Sequence, residues 1–93
     1  MPKASEFAEL FVVELNARHG DNKTEYGIES GSKYDRITIT NYGSRSVHAF
    51  VEKKTGHVYK AAGWAQPAKG VRFTDVLVAA EASDRFGNYL YAK

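Results

Sequence analysis

The chain has 93 residues, a formal net charge of +2 and an ordinary hydrophobic fraction of 43%. Such a length makes one domain, which buries roughly 60–65% of its unfolded surface and folds without staples. The absence of cysteine excludes disulfides and thiolate metal sites and suits a reducing cytoplasm. No apolar run approaches the ~18 residues of a membrane span. The N-terminal Met1-Pro2-Lys3-Ala4-Ser5-Glu6 lacks the apolar region of a signal peptide and carries an acid early, at Glu6. The expectation is a soluble, cytoplasmic protein.

Ser5 is placed to cap a helix over about residues 5–19. Phe7, Leu10, Phe11 and Leu15 form an apolar stripe at helical spacing. Glu6 and Glu9 in the first turn, with Arg18 and His19 in the last, suit the helix dipole. Gly20 reads as a left-handed stop.

Alternating patterns then predict strands. Thr24, Tyr26 and Ile28 share one face, and Ser30-Gly31-Ser32-Lys33 makes a turn. Asp35, Ile37 and Ile39 alternate with Tyr34, Arg36, Thr38 and Thr40. After a turn at Asn41-Tyr42-Gly43-Ser44, Val47, Ala49 and Val51 alternate with Ser46, His48, Phe50 and Glu52. Lys53-Lys54-Thr55-Gly56 is a hairpin loop with glycine at its left-handed position, and a short strand His57–Lys60 returns. That loop pairs Glu52 with His57, Val51 with Val58 and Phe50 with Tyr59. Ile37, Ile39, Val47, Val51 and Val58 then need cover, for which the N-terminal helix is available. Arg36, Thr38, His48, Phe50 and Tyr59 are expected on the opposite face.

A second helix is expected over Phe73–Ala82, capped by Thr74, with Asp75 in its first turn and Gly87 as its stop. Asn88-Tyr89-Leu90-Tyr91 reads as a last strand. The fold class is therefore α+β: an N-terminal helix packed on an antiparallel sheet of about three to four strands, a basic loop, a second helix and a short C-terminal strand.

Charge is segregated along the chain. Residues 1–43 carry five Lys/Arg against seven acids, net −2. Residues 44–72 carry six (Arg45, Lys53, Lys54, Lys60, Lys69, Arg72) against Glu52 alone, net +5. Residues 57–72 hold the only Trp, Pro67, two glycines and three basic groups, with no acid. Such a stretch either holds an anionic partner or builds a tight corner.

Signals for catalysis are weak. His19, His48 and His57 fall at a helix end, in a strand and beside a turn, and no set of three or four ligands converges for a metal. Ser46 and His48 share a strand face, but neither a nucleophile elbow nor an oxyanion hole accompanies them. The spacing from Gly63 to Gly70 is not that of a phosphate loop. The expectation is a non-enzymatic chain with no cofactor.

Signals for binding are stronger. Phosphates take Lys/Arg and free backbone N–H groups, and bases stack on flat rings at ~1–3 kcal/mol each. The candidate residues are Lys60, Trp64, Lys69, Arg72, Tyr59 and Arg45, with nucleic acid or a nucleotide-like anion as ligand. Two readings stand for Trp64, a buried plug and a stacking platform. The other partner class is a protein, as a host-directed inhibitor or a homo-oligomer with no nucleic-acid role, for which an exposed sheet edge would speak.

In topology the order helix, strands, basic loop, helix resembles the double-stranded-RNA-binding domain, where a basic helix N-terminus grips phosphates. Lys69 and Arg72 fall near that place, while Asp75 and the strand His57–Lys60 depart from it. In sequence, Gly56-His57-Val58-Tyr59-Lys60-Ala61-Ala62-Gly63-Trp64-Ala65-Gln66-Pro67-Ala68-Lys69-Gly70-Val71-Arg72 resembles a run in small bacteriophage proteins, G-x-V-x-K-A-A-x-W-x-x-P-A-K-x-x-R. Ser44–Val51 and Gly87–Leu90 are similar too, so the likeness extends over residues 36–93. It implies a phage origin and a host cytoplasm. Small phage proteins of this size often bind nucleic acid or block a host protein. No activity attaches to that family, and no residue role is carried over.

Overall fold

A computed structural model describes residues 3–64, 66–83 and 90. Its elements run α1 (Glu6–His19), β1 (Thr24–Ser30), β2 (Tyr34–Asn41), β3 (Ser44–Glu52), β4 (Val58–Tyr59) and α2 (Val76–Ala82). The four strands form one antiparallel sheet in the order β1-β2-β3-β4. This is the expected α+β fold. The last predicted strand and the Gly87 stop lie outside the described residues, apart from Leu90, which is buried. No described helix is long and apolar enough to cross a membrane.

α1 begins where Ser5 accepts a hydrogen bond from the Ala8 N–H at 3.2 Å. Its buried residues are Ala8, Phe11 and Leu15, with Val12 packed beside them. The expected stripe is therefore shifted around the helix. Phe7 and Leu10 are 41% and 40% exposed and line a small groove with Gly56, Asp75 and Leu77. Ala8 is fully enclosed, with no room for a larger side chain to reach solvent. Gly20 ends the helix in an extended conformation, φ −70°, and not a left-handed one. Glycine is required there by contact, since a Cβ would stand 2.6 Å from the Asn16 carbonyl.

The core lies between the helices and one face of the sheet. Tyr26, Ile37, Ile39, Ala49, Val51 and Val58 meet Phe11, Leu15, Val76, Ala79 and Ala80. The β3–β4 hairpin has the expected register, with Phe50 opposite Tyr59, Val51 opposite Val58, and the Glu52 N–H bonded to the His57 carbonyl at 2.9 Å. Gly56 is left-handed at φ +77°, and a Cβ there would also meet the Phe7 ring at 2.7 Å. Both conditions exclude a side chain.

One feature of β3 overturns two face assignments. The β2–β3 register shifts between Ile37 and Thr38: Ile37 faces Ala49, but Thr38 faces Val47. His48 is the extra residue of this bulge. Val47 consequently sits opposite Thr38, on the face away from the helices. The His48 ring stands edge-on to core Tyr26 at 5.1 Å, and not on the outer face.

The second helix starts later than expected. Asp75, not Thr74, is its cap and accepts from the Leu77 N–H at 2.8 Å. It ends at Ala82, where the Ser83 N–H bonds back to the Ala80 carbonyl at 3.2 Å.

Both edges of the sheet carry hydrogen bonds to other parts of the chain. At β1 the Asn16 side chain takes both backbone groups of Tyr26, accepting from its N–H at 2.8 Å and donating to its carbonyl at 3.1 Å. The Asp21 turn takes the backbone of Thr24. At β4 the Val58 N–H bonds to the Phe73 carbonyl, and the Val58 carbonyl accepts from Arg72 N–H, each at 2.8 Å.

Two stability measurements check this packing. Leu15→Ala should cost ~2–5 kcal/mol as a fully buried truncation, and half-exposed Leu10→Ala about 1 kcal/mol, read as denaturant midpoints. Asp35 is fully buried, accepts from the N–H and hydroxyl of Ser5 at 2.9 and 2.8 Å, and lies 3.6 Å from the Lys53 ammonium. Asp35→Ala should cost about 3–5 kcal/mol, because it strands the charge of Lys53.

Candidate functional site

The segment after β4 crosses the outer face of the sheet, away from the helices. The Ala68 N–H bonds to the Lys60 carbonyl at 2.8 Å, the Ala62 N–H bonds to the Gln66 carbonyl at 2.9 Å, and Ala61 bridges Pro67. These contacts close a short secondary hairpin, with Pro67 in its return limb. Gly63 donates to the same Gln66 carbonyl at 3.3 Å, so its N–H belongs to the loop and is not open to a ligand. Gly70 turns the chain at φ +95°, and Arg72 and Phe73 then bind the β4 edge.

Trp64 is 46% exposed. It is therefore not a buried plug. The Arg36 guanidinium lies 4.7 Å from its ring centroid and that of Arg45 lies 5.4 Å away. The Arg36 Nε also donates to the Trp64 carbonyl at 2.6 Å, which fixes the loop to β2. Both arginines then meet one acid. Arg36 Nη1 pairs with Glu29 Oε1 at 2.7 Å, and Arg45 Nη2 pairs with Glu29 Oε2.

The aromatic layer continues along the same face. Arg36 lies 5.9 Å from the Phe50 ring. Tyr34 stands edge-on to Phe50 at 6.4 Å and to Tyr59 at 5.6 Å. Phe50 is buried beneath these neighbours. The Tyr59 hydroxyl donates to Glu52 Oε1 at 3.2 Å. Burial first, and then the bonded Glu52 carboxylate and the nearby Tyr34, raise the Tyr59 phenol above its ordinary 10.0.

The six residues expected at the site therefore divide. Arg45 and Trp64 are in contact. Tyr59 belongs to the adjoining aromatic row and is committed to Glu52. Lys60 is half-buried at the loop's base, with its carbonyl bonded to Ala68. Lys69 is exposed beside Gly70. Arg72 is half-buried on the β4 side, and its buried Nε has no hydrogen-bond partner. Trp64 has its contacts with Arg36 and Arg45, not with Lys69 or Arg72. Sequence reasoning missed Arg36 and Glu29 as site residues. Alternation did place Arg36 on the outer face, where an arginine opposite Phe50 was a usable signal.

At the N-terminus of α2, the place where the duplex-RNA topology would bind phosphate, the Asp75 carboxylate already caps the Leu77 N–H. An anion there would meet a like charge. Among the described residues no group of His, Cys, Asp and Glu could hold a metal ion.

Fold and site together define a small α+β protein whose sheet is covered by helices on one face and carries an arginine–tryptophan cluster on the other. The chain belongs to DUF7717, a family of unknown function whose model matches residues 3–92. No curated protein and no solved structure matches it.

Tyr59 offers a test of the aromatic row. A phenol held protonated by the fold contributes stability that is fully present below the unfolded value of 10.0 and is lost as pH rises through the higher folded value. In an absorbance titration of tyrosinate, Tyr59→Phe should remove a transition from the alkaline end and leave the early ones. Loss of an early transition instead would contradict the Glu52 contact.

Proposed function

We propose that this protein is a non-enzymatic binder of single-stranded nucleic acid, and that the outer face of the sheet and the loop of residues 57–72 are the contact surface. The observation that carries this reading is Trp64: a lone tryptophan, half exposed, beside two arginines on an open face. A ring so placed stacks on a base of any sequence, and the surrounding cations contact backbone phosphates. Exposed Lys69 and the basic groups Lys60 and Arg72 extend the positive surface past the loop. The likeness of residues 56–72 to small bacteriophage proteins adds a setting, the cytoplasm of an infected host.

Protein docking by strand addition has less support. That mode needs unpaired strand backbone, and the Asn16 side chain, the Asp21 turn and the Arg72–Phe73 segment occupy backbone groups on both outer strands. A duplex held at α2 is disfavoured by the Asp75 cap.

The sole tryptophan is its own reporter. Titration with a short oligothymidylate at low salt should quench Trp64 fluorescence saturably. Trp64→Ala, followed by anisotropy of a labelled strand, should stay folded and lose about 1–3 kcal/mol of binding. Affinity should fall with salt by about 0.7 log units per log unit for each phosphate contacted, and Lys69→Ala with Arg72→Ala should flatten that slope by about two contacts' worth. Circular dichroism establishes that each variant is folded. A wild-type protein that binds neither single-stranded DNA nor RNA at low salt overturns the reading, and a salt-insensitive complex with a protein would take its place.

A further inference from the structure

Two arginines from neighbouring strands converge on one carboxylate. Arg36 comes from β2 and Arg45 from the start of β3, and each takes a different oxygen of Glu29 on β1. Two guanidiniums gripping two oxygens of one anion is also how proteins hold a phosphate group. The pairing is open to solvent: the side chains of Arg45 and Glu29 are 47% and 36% exposed, and that of Arg36 is 21% exposed. Ion pairs this exposed contribute little to stability, so exchanging the carboxylate for another anion costs the fold little.

The surrounding shape points the same way. One groove, of about 400 Å³, is lined by Glu25, Gly27, Glu29, Thr38, Thr40 and Arg45. A second, of about 330 Å³, is lined by Glu29, Ser30, Lys33, Tyr34, Arg36 and Phe50. Glu29 lines both, so the two grooves meet at it. Gly27 leaves the floor of the first without a side chain. The second ends in an aromatic wall. Arg36 is held by its Nε bond to the Trp64 carbonyl, and its Nη1 meets Glu29 at the junction.

We infer that Arg36 and Arg45 form a seat for one backbone phosphate of a single strand, that the Glu29 carboxylate occupies this seat in the unliganded protein, and that the strand binds by displacing it. The inference rests on the proposed function and adds to it a location and a built-in competitor. The competitor sets a threshold: a ligand with several phosphates offsets the loss of the Glu29 pairings through its other contacts, while a lone small anion has nothing else to offer. Glu29 thus acts as a filter for polyanions.

Removing the competitor tests this. Glu29→Gln keeps the size of the side chain and removes its charge. The variant should bind a short oligothymidylate about tenfold more tightly than wild type, because the Glu29 pairings no longer have to be given up before the phosphate seats. Adding Arg45→Ala should cancel the gain, a coupling that two independent sites would not show. Inorganic phosphate is the second probe. It should quench Trp64 in Glu29→Gln at concentrations that leave wild type unchanged.

An affinity within about twofold of wild type overturns the seat, and the strand reading then stands or falls on wild-type binding alone. Saturable binding of inorganic phosphate by Glu29→Gln with no binding of the oligonucleotide keeps the seat and overturns the strand. Absence of binding of either probe overturns both. If Glu29→Gln fails to fold, Arg45→Ala in the wild-type background gives the answer: it should weaken oligothymidylate binding at least threefold, and an unchanged affinity overturns the seat.

Discussion

The buried carboxylate of Asp35 is the contact on which the arrangement of this fold depends. It sits at the start of β2, fully enclosed, and accepts twice from Ser5, the residue that caps α1. Beside it the Lys53 ammonium also donates to the Lys3 carbonyl and the Ser30 hydroxyl, each at 2.6 Å. One acid–base pair therefore gathers the entry to α1, the end of β1, the start of β2 and the β3–β4 loop. A buried ion pair adds little net stability over an apolar alternative, but it tolerates few geometries. Its effect here is to fix where α1 begins. Asn16, on the same helix, fixes where it ends by bonding both backbone groups of Tyr26. A helix held at both ends lies along the sheet in one orientation, and the inner face is settled by it.

With the inner face closed, the outer face is left to the loop after β4. That loop is rich in alanine and glycine and has too few large apolar side chains to build a second core. It is held by a hydrogen bond and a guanidinium–indole contact from Arg36, and it covers the face only in part. The result is a sheet with one dry side and one side that is aromatic, charged and accessible. The His48 bulge contributes to the same division. It turns a polar ring toward Tyr26 and moves Val47 outward, so the two faces do not follow simple alternation.

Local features were legible in the residues. The Ser5 cap, the Gly56 turn and the β3–β4 register all follow from short-range chemistry and match the structure. Periodicity was less decisive for α1. The stripes Phe7/Leu10/Phe11/Leu15 and Ala8/Phe11/Val12/Leu15 share two members and differ by a modest rotation, and size favours the first while close packing selects the second. The bulge had no local signal, because a strand with one extra residue reads like one without. Asp35 resembled any polar strand residue, and its burial depends on Ser5 and Lys53, thirty and eighteen positions away. The same limit applies to the site. Trp64 was visible as the lone tryptophan in a basic run, but Arg36 and Glu29 join the site only through pairing of β1 with β2 and the return of the loop.

The charge pattern shows why linear segregation is a poor guide to a surface. The excess in residues 44–72 looks like a continuous positive patch when counted along the chain. In the fold, Glu29 comes from the acidic first half and stands between Arg36 and Arg45, and Lys53 turns inward to Asp35. Part of the apparent excess is thus neutralised. Such a surface exerts only a weak long-range pull on anions at physiological ionic strength, where fields decay within about 8 Å. On the proposed reading, binding would come from contact chemistry, stacking on Trp64 and direct phosphate pairing, more than from electrostatic steering. On that reading the discriminating power lies at the Glu29 junction, where two cations stand against a single carboxylate.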